Sequence, residues 1–87
     1  MKHVRMMILS HCPHCKRALA MMEDLKAKEP AFAAVEFEIV DEQLHPEIAD
    51  TLDYYYVPCY FVDGKKIFEG VPSEEKVRSV FEATLAE

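Results

Sequence analysis

The feature that most constrains this chain is a pair of cysteines, Cys12 and Cys15, separated by only two residues. They follow a short apolar run at positions 6–9. Pro13 lacks a backbone N–H, so it suits the first position of a helix, where that donor would have no partner within the helix. Cys12 is then predicted at the N-cap, beside free N–H groups and the positive end of the helix dipole. We therefore expect a buried strand to pass directly into a helix that carries two thiols at its start.

Two thiols at this spacing are typical of a redox switch. A helix N-terminus stabilises a thiolate, and the thiolate is the form that attacks disulfides. Cys12 is therefore the expected nucleophile, and Cys15, one turn further along, is the expected resolving thiol. The alternative is a pair of structural thiols without redox chemistry.

Length, composition and charge narrow the classes of protein. The chain has 87 residues, of which 51% are hydrophobic and 30% charged, and this predicts one globular domain over residues 1–87. A net charge of −6 argues against a nucleic-acid partner, and no basic run indicates a membrane surface. The apolar run at 6–9 is too short for a signal peptide or a membrane span, so we expect a cytoplasmic protein. We also expect it to be a monomer. Three cysteines, two of them closely spaced, do not predict a secreted disulfide scaffold.

Hydrophobic periodicity predicts alternating strands and helices. The first predicted elements are a strand at 4–9, a helix at 13–29 ended by Pro30, a strand at 35–40 near a sheet edge and a short helix from Pro46. A hairpin of strands 57–62 and 65–69 around Asp63-Gly64 follows, and then a last helix capped by Ser73. A strand-helix-strand unit requires a right-handed crossover and a parallel pair, whereas the hairpin is antiparallel. The order β-α-β-α-β-β-α thus predicts an α/β fold with a mixed four-stranded sheet and helices on both faces.

This element order resembles that of the glutaredoxins, the compact branch of the thioredoxin superfamily. The Cys-Pro-His-Cys motif after the first strand and the Val57-Pro58 dipeptide entering the third strand carry the resemblance, which spans nearly the whole chain. It implies a thioredoxin-like fold in which Pro58 is a cis-proline facing the dithiol. Val57 would then supply backbone groups to a bound peptide or thiol. The alternative for Pro58 is a proline that only opens the strand.

Two histidines accompany the dithiol. His14 lies between the cysteines, where its imidazolium could stabilise the Cys12 thiolate. The same Pro-His dipeptide resembles that of the periplasmic disulfide-forming oxidases. His11 precedes the nucleophile and could add to the positive field. For each of them the alternative is a solvated side chain.

Further residues are candidates for substrate binding, although the chain departs here from glutathione-using members of the family. Those members usually have a lysine before the first cysteine, a Thr-Val-Pro tripeptide and a Gly-Gly turn. In this chain the lysine is absent, Tyr56 replaces the threonine, and Gly70 stands alone. Pro72 lacks an N–H that could bind a carboxylate. Tyr56, Gly70 and Ser73 can still line a ligand pocket, but specificity for glutathione does not follow.

Cys59 directly follows Pro58, and the pattern leaves its orientation open. Strand alternation can turn its side chain into the core, where free cysteines are commonly found. If it faced the groove instead, the site would hold three thiols and could bind a metal.

These observations predict a thiol–disulfide oxidoreductase without a bound cofactor. Its substrates would be disulfide-containing proteins or low-molecular-weight disulfides, and its reductant glutathione or a flavoprotein reductase. The alternative is a metal or iron–sulfur cluster carrier of the same fold. Two cysteines from one chain make a poor closed tetrahedral site, so no metal ligands are predicted, and a carrier would need a dimer or an outside thiol.

Overall fold

The apolar run near the N-terminus forms the centre of a four-stranded sheet. Strand β1 (Val4–Ile8) pairs in parallel with β2 (Phe37–Asp41) and antiparallel with β3 (Cys59–Val62). Strand β3 also pairs antiparallel with β4 (Lys65–Glu69), giving the order β2-β1-β3-β4. The computed structural model, which describes residues 1–86, thus confirms the α/β class, the mixed sheet and the edge position of β2.

Four helices complete the fold over residues 1–86. They are α1 (Pro13–Lys28), α2 (Pro30–Ala33), α3 (Pro46–Ala49) and α4 (Glu74–Leu85). Helix α2 was not predicted: Pro30 both ends α1 and begins a further turn, because a proline fits the first position of a helix. Within residues 1–86, no helix combines the length and apolar character needed to cross a membrane.

The sheet separates two apolar clusters because successive strand residues point to opposite faces. Met6 and Tyr60 join the larger cluster, which α1, α2 and α4 cover. Their neighbours Met7 and Phe61 join the smaller cluster, against which the α3 segment packs. The expectation of helices on both faces is therefore confirmed. The stacked rings of Phe32 and Phe81, 4.6 Å apart, extend the larger core under α2 and α4.

The hairpin turn follows its sequence signal. Asp63 and Gly64 both have positive φ, at 48° and 81°, as a two-residue hairpin turn requires. Asp63 also ties the turn to the chain start: its N–H donates to the His3 carbonyl at 2.8 Å, and its carboxylate accepts the His3 N–H at 2.9 Å.

Several boundaries differ from prediction. Strand β1 ends at Ile8 rather than residue 9, and β2 begins at Phe37 rather than residue 35, because Val35 is buried in the turn after α2. Strand β3 begins at Cys59, since Pro58 has no N–H for the ladder. Ile39 is 47% exposed, because β2 lies at an edge of the sheet and has a neighbouring strand on one side only.

Candidate active site

Cys12 is the N-cap of α1, as predicted from Pro13. Its backbone is extended (φ −88°, ψ 114°), and its sulfur accepts a hydrogen bond from the Cys15 N–H at 3.3 Å. The side chain is partly exposed. An N–H donor and the positive end of the helix therefore face a sulfur that solvent can reach.

Cys15 lies one turn further along and is buried, with 1% of its surface exposed. Burial raises the pKa of the Cys15 thiol to about 12, and neighbouring Cys12 and Glu42 act in the same direction. A hydrogen bond with the Leu9 backbone opposes them. The two thiols therefore differ: the Cys12 thiol is partly exposed to solvent, whereas the Cys15 thiol is buried and has a raised pKa.

The segment before β3 meets the dithiol from the other side. The peptide between Val57 and Pro58 is cis, as the resemblance implies. The Val57 carbonyl lies 3.8 Å from the Cys12 sulfur, which donates to it. Pro58 is buried, and its carbonyl accepts the N–H of Gly70 at 2.9 Å. The fold thus brings together Cys12, Val57, Pro58 and Gly70, although they are far apart in the chain.

The other residues predicted to bind substrate have different surroundings. Tyr56 is 66% exposed, and a Cβ placed on Gly70 (φ +92°) would lie 3.8 Å from the Tyr56 Cβ. These two residues are therefore close neighbours beside the cis peptide. The Ser73 hydroxyl instead accepts the N–H of Lys76 at 3.1 Å, so it is used as the N-cap of α4.

The two histidines near the cysteines occupy different positions. His11 is exposed and lines a cleft of about 150 Å³ together with Leu9, Cys12 and Gln43. His14 contacts the Arg17 guanidinium through its Nδ1 atom. The effect of either histidine on Cys12 remains a prediction.

The loop before Pro58 contains Tyr54, Tyr55 and Tyr56. Two acidic residues that were not singled out from the sequence hold this loop. The Glu69 carboxylate accepts the N–H groups of Tyr55 at 2.7 Å and Tyr56 at 2.8 Å. A hydrogen bond from Lys66, followed by these two N–H groups, lowers the pKa of Glu69 to about 2. No local pattern could have revealed the contact, because Glu69 is 13 residues from Tyr56.

The second acidic residue is Glu42, in the turn after β2. Its carboxylate accepts the Tyr54 hydroxyl at 2.7 Å, and its N–H donates to the Ile8 carbonyl at 3.0 Å. Burial, then this hydrogen bond, raises the pKa of Tyr54. The Tyr54 ring meets Phe61 edge to face. The start of the loop is therefore anchored close to the end of β1.

Cys59 points away from the dithiol helix. It has no exposed surface and packs in the smaller apolar cluster with Met7, Val40 and Phe61. Burial raises the pKa of its thiol to about 12. Of the two orientations left open by the sequence, the structure shows the one in the core. Among residues 1–86, no group of three or more His, Cys, Asp or Glu side chains is placed to hold a metal ion.

Comparison with known proteins agrees with this geometry. A family model described as a thioredoxin domain matches residues 2–82. A search of curated proteins finds no significant match. The matched region includes every strand, the dithiol and the cis-proline loop. The chain therefore belongs to the thioredoxin domain family.

Proposed function

We propose that this protein is a thiol–disulfide oxidoreductase of glutaredoxin-like type, with Cys12 as nucleophile and Cys15 as resolving thiol. The observation that carries the proposal is the position of the Cys12 sulfur. It lies at a helix N-terminus, is partly exposed, and is 3.8 Å from the carbonyl that precedes the cis-proline. Membership of the thioredoxin domain family supports a redox role.

The reaction needs two exchanges. The Cys12 thiolate attacks one sulfur of a substrate disulfide, forms a mixed disulfide and displaces the other sulfur as a thiolate. Cys15 then loses its proton and attacks the Cys12 sulfur. The bond to the substrate breaks, the second substrate thiol leaves, and a Cys12–Cys15 disulfide forms. Two electrons from glutathione or a flavoprotein reductase return both cysteines to thiols.

The substrates are disulfide-containing proteins or low-molecular-weight disulfides. Val57 offers backbone groups beside the reactive sulfur, and Tyr56 and Gly70 lie next to them. Backbone groups at this position can pair with an extended peptide or with a small thiol compound. His11 and the cleft beside Cys12 lie at the same opening.

Substitution of each cysteine tests the assignment. We expect Cys12→Ser to abolish disulfide reduction, because a hydroxyl is too weakly acidic to replace the thiolate. Cys15→Ser should accumulate mixed disulfides on Cys12, visible by intact mass spectrometry. In wild type, alkylation below neutral pH should label Cys12 first, since Cys15 and Cys59 are buried.

Turnover should be measured with glutathione and with a flavoprotein reductase separately, and metal content on protein purified without chelator. Cys59→Ala is the matched control and should keep activity. Preferential labelling of Cys15 or Cys59, or a coloured dimer containing sulfide, would contradict the proposal and favour the cluster carrier.

A further inference from the structure

The part of the loop next to Val57 is held by the Glu69 carboxylate. Glu69 is the last residue of β4, and its Oε2 atom accepts the N–H of Tyr55 at 2.7 Å and of Tyr56 at 2.8 Å. Its Oε1 atom accepts from the Lys66 ammonium at 2.7 Å. Both carboxylate oxygens therefore have partners within the chain.

Gly70, the residue after Glu69, makes a further hydrogen bond to the loop. Its N–H donates to the Pro58 carbonyl at 2.9 Å. Glu69 and Gly70 therefore fix the backbone on both sides of Val57, whose carbonyl lies 3.8 Å from the Cys12 sulfur. The position of this carbonyl thus depends on the end of β4.

The Val57 side chain packs against the smaller apolar cluster, whereas the side chains of the two residues before it contribute little to holding the loop. Tyr55 is 81% exposed and Tyr56 is 66% exposed, so neither ring is anchored in a core. Hydrogen bonds to an ionised acceptor are stronger than those between neutral groups. Because Lys66 and the two N–H groups lower the pKa of Glu69 to about 2, the carboxylate stays ionised throughout the pH range in which thiols react.

We propose that Glu69 is a positioning residue of the active site: by binding the N–H groups of Tyr55 and Tyr56, it holds the Val57 backbone where a substrate disulfide must dock. This inference rests on the proposed function. Glu69 touches neither the substrate sulfur nor the two cysteines. Its loss should therefore weaken substrate binding more than it slows the chemistry.

The kinetic test uses Glu69→Ala and a synthetic peptide with one intramolecular disulfide. We expect KM to rise about tenfold and kcat to stay within about twofold, because the dithiol helix is unchanged. Glu69→Gln should recover most of the wild-type KM, since its amide oxygen can still accept both N–H groups. A role limited to fold stability would instead lower kcat with the folded fraction and leave KM unchanged.

Glu38→Ala is the matched control. Glu38 lies on β2, at the opposite edge of the sheet, and its carboxylate bonds Arg5 and His3. Its KM should equal that of wild type. An equal rise in KM in both variants would overturn the inference.

Amide hydrogen exchange provides a readout that does not depend on activity. Exchange at the Tyr55 and Tyr56 N–H groups should accelerate by about tenfold or more in Glu69→Ala, as expected for loss of a hydrogen bond to a charged group. It should change less in Glu69→Gln. Unchanged exchange in Glu69→Ala would refute the positioning role. If the wild-type protein reduced no disulfide, the proposed function and the predicted effect on KM would both be refuted. The exchange rates of the Tyr55 and Tyr56 N–H groups would still show whether Glu69 holds the loop.

Discussion

Three thiols of the same chemistry occupy three environments in this protein. Cys12 is partly exposed at a helix N-cap, Cys15 is buried one turn behind it, and Cys59 is buried on the other face of the sheet. The proposed roles of the cysteines rest on these positions, because a thiol must be accessible to react. Burial raises the pKa of both Cys15 and Cys59 to about 12.

The buried position of Cys59 leads to a prediction at the level of one residue. Cys59→Ser places a hydroxyl among Met7, Val40 and Phe61. A buried hydroxyl without a partner lowers the free energy of unfolding by about 1–3 kcal/mol, which urea denaturation would measure. The rate of Cys12 alkylation should not change.

The same substitution at Cys12 provides the control. Serine is a favoured N-cap residue, so Cys12→Ser should preserve the unfolding free energy within about 0.5 kcal/mol. Equal loss of stability in the two variants would show that the burial of Cys59 does not explain the effect.

At the level of secondary-structure elements, the start of α4 depends on the side chain of Ser73. Ser73 was a candidate both for the N-cap of α4 and for the substrate pocket. Its hydroxyl accepts the Lys76 N–H at 3.1 Å, and the acidic residues Glu74 and Glu75 follow in the first turn, where the helix dipole favours negative charge. The start of α4 is thus stabilised by local interactions.

Removal of this cap should lower the free energy of unfolding by a measurable amount. We expect Ser73→Ala to lower the free energy of unfolding by about 1 kcal/mol, because one N–H of the first turn loses its acceptor. Ser79→Ala is the matched control in the same helix, since the Ser79 hydroxyl only donates to the Lys76 carbonyl and is exposed. Thermal or urea unfolding of both variants should show a loss confined to Ser73→Ala. A comparable loss at Ser79 would mean that the cap is not the cause.

The whole molecule carries a net charge of −6 and contains several buried groups that ionise only at high pH. Burial raises the pKa of Cys15 and Cys59 to about 12 in the folded protein, whereas the pKa of an unfolded cysteine is about 8.5. Burial also raises the pKa of Tyr54 and Tyr60. Between these values the unfolded chain binds fewer protons than the folded one, so the free energy of unfolding falls as pH rises.

Alkaline destabilisation is therefore the prediction for the molecule as a whole. The urea midpoint should be nearly constant up to about pH 8 and should decline between about pH 9 and 12. Cys59→Ala removes one of the two buried thiols, so its midpoint should decline less steeply over the same range. Parallel curves for wild type and Cys59→Ala would contradict the assignment of this effect to Cys59.

The sequence by itself determined the features that depend on neighbouring residues. Pro13 indicated the start of α1 and the cap position of Cys12, Asp63-Gly64 indicated the hairpin turn, and Ser73 indicated the start of α4. Hydrophobic periodicity predicted the order of the elements apart from the short helix α2, and the crossover rule and the hairpin then predicted the mixed sheet. Such signals are reliable because caps, turns and alternation act over a few residues.

Only the tertiary structure decided which distant groups meet at the site. Val57 contacts Cys12 across 45 residues, and the Glu69 carboxylate reaches Tyr56 across 13. The orientation of Cys59 likewise depends on where β3 begins after Pro58 and on the face that this register gives it. Strand pairing and packing determine these contacts and the orientation of Cys59. A single sequence contains no local pattern from which they could be read, because a shift of one residue would turn each side chain to the opposite face.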